Sequence, residues 1–289
     1  MSSSTKPTEF ELLKKLSKDL RAASGLMSDQ EIRFLVDSYY VLQDQRKRSA
    51  SQVKSLGENR EPHGVIDWYF ENSRVLENNI KSALDCYSNS NPIAAWAKSI
   101  HGIGPVISSG FAAHIDCRKE TAGQVWKFAG LDPMCRWEKG KKRPWNARLK
   151  TLCWHAGECF VRSKSSDKSV YGKMYDERKA LESRNNEMLL YRDQAKEKLD
   201  RFKIGKDTIA FGKYVEGRLP DAHIHERCKR YVVKIFLSHY HCVGHYILTG
   251  KIPSKPWVVE HGGHSHIMLP PNMELVGGLE KACRESYGM

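Results

Sequence analysis

Gly102 and Gly104 bracket Ile103 in the stretch Ile100-His101-Gly102-Ile103-Gly104-Pro105-Val106. Glycine accepts backbone angles closed to other residues, so the pair permits a hairpin too sharp for ordinary side chains. Ile103 can plug the gap between two helices, and Pro105 suits the first turn of the second one. A turn of this kind leaves backbone N–H groups bare at a helix N-terminus, where they favour an anion such as a phosphate oxygen. Contacts of that sort place a protein on nucleic acid without reading its bases. The alternative is a Gly-x-Gly turn with a purely structural role. Two other glycine motifs are excluded: no Gly-Lys-Ser/Thr follows, and no β-branched strand precedes as a dinucleotide fingerprint requires.

A basic cluster follows. Arg136, Lys139, Lys141, Lys142, Arg143, Arg148, Lys150, Arg162 and Lys164 face only Glu138 and Glu158 over the same stretch, and Trp137, Trp145 and Trp154 are interleaved with them. Cations suit phosphates and aromatic rings suit exposed bases. Burial is the alternative for the tryptophans, and Trp154 is expected to be a core residue.

Histidine and cysteine concentrate late, as His223, His225 and Cys228, then His239, His241, Cys242 and His245, then His261, His264 and His266. On a helix His241 and His245 share a face, and His225 and Cys228 lie one turn apart, so zinc ligation is geometrically open. The spacings match no zinc module, and the expectation is no metal and no cofactor. None of the eight cysteines forms a Cys-x-x-Cys pair, and free thiols are expected. No Ser-His-Asp order or carboxylate pair stands out for hydrolysis, so no catalytic residue is assigned.

The elements that must position these residues read as helices. Phe10, Leu12, Leu13, Leu16 and Leu20 recur at helical spacing up to a stop at Gly25. Ser28 with Glu31 is a capping box, and Ile32, Leu35, Val36, Tyr39, Tyr40 and Leu42 continue its helix. After a polar break at 57–64, a third helix places Trp68, Tyr69, Val75, Leu76, Ile80 and Leu84 inward. Pro92 fits a first helical position. Residues 168–203 form a charged helical stretch with loosely periodic apolar residues, an amphipathic hairpin or coiled-coil arm suited to self-association, or else an exposed insertion with no partner. A helix from Asp221 to about Leu248 ends at Gly250 with Pro253 beyond. The expected fold is mainly α: a helical N-terminal region (1–90), a helix-hairpin-helix and basic region (91–165), the arm (166–205), and a C-terminal helix with a His/Pro/Gly-rich tail packed as an ordered loop (206–289).

With 289 residues the chain can bury a real core, and 40% apolar against 28% charged residues exclude a disordered or membranous chain. The start lacks a signal-peptide apolar stretch, so a cytoplasmic, nucleoid-associated location is expected, with no membrane partner. Forty-seven Lys and Arg against 34 Asp and Glu leave a net charge of +13. A chain so basic is commonly a binder of polyanions.

Taken in order, the hairpin, Trp126-Lys-Phe-Ala-Gly-Leu-Asp-Pro133, Lys141-Lys-Arg-Pro-Trp-Asn146 and Leu149-Lys-Thr-Leu152 resemble the C-terminal domain of the DEDD-type insertion-sequence transposases, the "IS one-ten" family of RNA-guided recombinases. The resemblance covers about residues 96–162. It implies DNA as partner, an origin on a mobile element or phage, and a serine nucleophile beyond the Gly-Leu-x-Pro segment. The sequence departs from the family twice. Residues 1–90 read as helical where the family has a RuvC-like α/β domain with four acidic metal ligands, and residues 134–140 hold no serine, with Cys135 the one candidate in its place.

The resulting expectation is a transposase-related DNA-binding protein that holds duplex or branched DNA non-specifically and does not itself cut it, with RNA a further candidate partner. Its contacts are expected at Gly102, Ile103, Gly104, Pro105, Val106, Arg136, Lys139, Lys141, Lys142, Arg143, Arg148 and Lys150. The rivals are a divergent recombinase acting with a partner or guide RNA, and an interaction scaffold that dimerises through the arm.

Overall fold

The computed structural model describes residues 12–57, 64–254 and 267–288. Twelve α-helices and two 3-10 turns make up its regular structure, with no strand among the described residues. Two compact units are formed, and the chain passes between them more than once. Unit 1 takes residues 1–98 and 104–116, and unit 2 takes 99–103 and 117–289. Of the four segments read from the sequence, 1–90 falls in unit 1, 91–165 is shared, and the other two belong to unit 2.

In unit 1, α1 (Lys18–Ala23) is capped by Ser17, whose hydroxyl accepts from the Leu20 N–H. A 3-10 turn (Ser24–Leu26) follows, containing Gly25. The capping box then starts α2 (Asp29–Gly57): the Glu31 carboxylate accepts from the Ser28 N–H at 2.8 Å, and the Ser28 hydroxyl accepts in return from the Glu31 N–H. α3 (Gly64–Ser90) packs on α2, joined by the ion pair of Arg46 and Glu77. α4 (Pro92–Ser99) buries Trp96, and α5 (Pro105–His114) packs against both long helices. The small residues Ser108, Ser109, Gly110 and Ala113 of α5 are buried, which permits the close approach in which the Ser109 hydroxyl donates to the Leu84 carbonyl at 3.0 Å.

Two expectations for this unit are corrected. Leu12, Leu13 and Leu16 precede the first helix as irregular chain, because the amides of Leu13 and Leu16 bond to the side chains of Asn72 and Asn79 on α3. Phe10 lies outside the described residues. The buried face of α3 carries Asn72, Ser73 and Glu77 along with Leu84, while Trp68, Tyr69 and Leu76 are exposed. The polar residues face inward because each of Asn72 and Glu77 has a partner there, and a paired polar group can be buried at little cost.

Unit 2 is arranged around α11 (Asp221–Thr249), which contacts α6 (Ala122–Phe128), α7 (Ala147–Arg162) and α8 (Val170–Glu187). Gly250 ends it in the left-handed conformation at φ 70°, as the sequence implies. Phe160, Tyr171 and Phe236 meet at ring-centroid distances of 4.8–5.4 Å and form the aromatic centre of the core. The charged stretch at 168–203 is two helices, α8 and α9 (Arg192–Arg201), parted at Leu189, whose φ is 58°. Its apolar residues divide: Tyr171 and Tyr175 enter the core, whereas Leu181, Met188 and Leu190 are exposed. α10 (Ile209–Val215) packs on α9, and α12 (Leu279–Tyr287) closes the described chain. Most of the tail expected to pack as an ordered loop, with His261, His264 and His266, lies outside the described residues.

Candidate nucleic-acid interface

The hairpin has the expected backbone. Gly102 takes φ +95°, the Ile103 N–H donates to the Ile100 carbonyl at 2.9 Å, and extended Gly104 caps α5 with Pro105 at its start. Ile103 and Val106 are buried, so the turn presents backbone and not these side chains. The two glycines differ in kind. A Cβ on Gly102 would come within 2.9 Å of the Ser163 hydroxyl and 3.3 Å of the Cys159 carbonyl, at the end of α7. A Cβ on Gly104 would meet nothing within 4 Å. The open part of the turn is therefore at Gly104 and Pro105.

The basic cluster occupies the irregular segment between α6 and α7 and the first turn of α7. Arg136, Lys139, Lys141, Lys142, Arg143 and Arg148 are exposed, and Lys150 is half-buried. Lys141 pairs with Glu138 at 2.7 Å. The segment is shaped by its tryptophans: the Trp137 indole N–H donates to the Lys141 carbonyl at 2.6 Å, and Trp145 packs on Gly130, which takes φ +67° and leaves no room for a Cβ. Trp154 is 50% exposed, which corrects its expected place in the core; it projects from the outer side of α7, opposite buried Cys153 and Ala156, with the Lys229 ammonium 5.3 Å over its ring.

Folding adds cations that the sequence separates. Arg230 of α11 lies close enough to Lys150 and to Lys234 for their charges to interact. Burial and then repulsion from Arg230 and Arg143 hold the Lys150 ammonium below its ordinary range. Burial, then Arg178, Arg230 and Arg227, do the same to Lys234. Among the described residues Arg143, Lys150, Arg230 and Lys234 have no ion pair within 4.0 Å. Three of them rest instead near an indole, Arg143 on Trp137, Lys150 on Trp145 at 4.2 Å and Lys234 on Trp126 at 5.4 Å. The spacing of Arg227, Arg230 and Lys234 along one helix carries this signal in the sequence. The apolar run Val232 to Leu237 between them masks it, because it marks the same stretch as core.

No family model, no curated protein and no solved structure matches this chain.

The histidines of α11 serve the fold. His241 donates to the Lys119 carbonyl at 2.7 Å and His245 to the Cys117 carbonyl at 2.9 Å, so the pair that could have held zinc pins the chain before α6. His225 meets the Tyr175 hydroxyl, and Cys228 is fully buried. Glu158, His225 and Glu226 bring three potential ligand atoms within 4.8 Å of one another. The Lys229 ammonium bonds to both carboxylates, however, and supplies the positive charge that a metal ion would bring.

Proposed function

We propose that this chain binds DNA through its phosphate backbone, without base readout and without cutting it, as a relative of transposase DNA-binding domains from a mobile element or phage. One observation carries the reading: Arg143, Lys150, Arg230 and Lys234 gather on one unit without ion-pair partners among the described residues. Lys150, Arg230 and Lys234 are held below their ordinary ranges first by burial and then by neighbouring cations, and a polyanion placed there relieves the repulsion. Indole faces beneath three of them hold the cations in place. Exposed Arg136, Lys139, Lys142 and Arg148 widen the basic surface, and the backbone N–H of Gly104, ahead of Pro105, offers a separate phosphate contact on the hairpin. Residues 134–140 lack the serine that the resemblance calls for, which supports binding without cleavage. Self-association through α8 and α9 belongs to the same reading, supported by the exposed Leu181, Met188 and Leu190.

Fluorescence anisotropy with labelled duplex DNA over a salt series tests this. Log affinity should fall steeply with log salt, and the double variant Lys150→Ala/Arg230→Ala should flatten that slope by about two, one for each cation withdrawn from a phosphate. Salt-independent binding, or none at low salt, overturns the proposal. Duplex and four-way-junction DNA incubated with divalent metal should remain intact, and cleavage would favour the recombinase reading.

A further inference from the structure

Between α7 and α11, a cavity of about 120 Å³ opens beside the cation cluster. Leu131, Cys153 and Val233 give it apolar walls, Trp154 borders it with a half-exposed indole, and Lys150 and Arg230 stand at its rim. Gly157 keeps it shallow and tight: an added Cβ there would lie 3.2 Å from Val233, so the helices meet closely beneath. We infer that this cavity receives one unpaired nucleotide, its base against Trp154 and its phosphate between Lys150 and Arg230. The inference rests on the nucleic-acid reading above and names the strand structure that the site favours.

Three features point the same way. At about 120 Å³ the recess is smaller than the roughly 150 Å³ that encloses a benzene ring, so it admits the edge of one flat heterocycle beside Trp154 and excludes a base pair. The walls are largely apolar, and the lining carries Lys150, Lys229 and Arg230 against the one carboxylate of Glu226, which matches a base joined to its phosphate and matches neither an aliphatic ligand nor a free anion. Among the described residues neither the Arg230 nor the Lys150 side chain has a hydrogen bond or an ion pair within 4.0 Å; Lys150 lies 4.2 Å over the Trp145 ring and Arg230 feels the charge of Glu226, and both keep donors for a phosphate. Lys229, which also lines the cavity, is neutralised by Glu158 and Glu226 and adds no further charge. A base in a regular duplex is stacked and paired on both sides and has no access to such a recess. One left unpaired at a bulge or branch point gives up far less on entering it.

The test compares a duplex with the same duplex carrying one extra unpaired thymidine, using the full-length protein and anisotropy at fixed salt. The native protein should bind the bulged DNA about tenfold more tightly, the scale of one base–aromatic stack. Trp154→Ala should abolish the difference while leaving affinity for the uniform duplex unchanged, and Trp154→Phe should keep most of it. Indole emission should fall when the native protein meets bulged DNA, and this drop should shrink in Trp154→Phe, a measurement that stands even if Trp154→Ala is unstable. Equal affinity of the native protein for both DNAs overturns the inference and leaves the backbone-binding proposal intact. A preference that survives in Trp154→Ala, or emission unchanged by bulged DNA, also overturns it. Failure to bind either DNA removes the proposed function itself.

Discussion

Neutral imidazoles buried between fixed partners make single residues of α11 sensitive to acid. His239 donates through Nε2 to the Met268 carbonyl at 2.9 Å, so its Nδ1 must accept from the Tyr171 hydroxyl at 2.7 Å in the neutral ring. Burial lowers its pKa to about 4. An unfolded imidazole takes up its proton near pH 6.5, so between those values the unfolded chain binds more protons than the folded one. Stability contributed by His239 is whole above about pH 6.5 and is lost as pH falls towards 4, amounting to about 3 kcal/mol. His223, His225 and His241 shift in the same direction, each chiefly through burial. The urea midpoint should therefore fall between about pH 7 and pH 4. His239→Gln keeps a donor and an acceptor but does not titrate, and its midpoint should fall less. An identical pH slope in the variant would show that the burial of this ring has no thermodynamic consequence.

At the scale of the element, the two glycines of the hairpin between α4 and α5 allow folding and the proposed binding to be tested apart. Gly102 holds a left-handed angle and faces the end of α7, so Gly102→Ala should lower the melting temperature whatever the DNA does. Gly104 is extended and has open space before it, so Gly104→Ala should melt near the native protein while its added methyl hinders a strand from approaching the backbone. Reduced DNA affinity in Gly104→Ala at unchanged melting temperature supports the hairpin contact. Unchanged affinity makes the turn a connection and nothing more. The motif, its proline and its plugging isoleucine were legible in the sequence because they are local: neighbouring residues fix the turn. The same holds for the capping box at Ser28 and the stop at Gly250. The face of α3 was not legible, since Asn72 and Glu77 turn inward only because partners far along the chain, Leu13 and Arg46, meet them. The exposure of Trp154 was hidden for a related reason, because an indole does not announce whether a neighbouring helix covers it. Half of the candidate site was visible as the cations at 136–150; Arg230 joined them only when α11 packed on α7, and Lys234 when α11 packed on α6.

For the molecule as a whole, net charge and the helical class were both readable from composition and periodicity, whereas the division into units was not. That division depends on which helices pack together, and α5 returns to α2 and α3 after the chain has already contributed residues 99–103 elsewhere. The exposed apolar residues of the α8–α9 segment set the prediction at this scale. Sedimentation should find an oligomer at micromolar concentration, and Leu190→Glu, at an exposed position, should shift it towards monomer without altering helix content. A monomer for the native chain at every concentration removes self-association from the proposal.

The interleaving of unit 1 also has a consequence during synthesis. On the ribosome, α2 and α3 emerge before α5, the helix that packs on both and whose Ser109 hydroxyl bonds to the Leu84 carbonyl. At ordinary elongation rates the nascent N-terminal third waits on the order of seconds with the faces that α5 will cover unsatisfied. A transcript cut short after Lys98 would release it in that condition permanently, a product for chaperones and proteases to handle and not a smaller working protein.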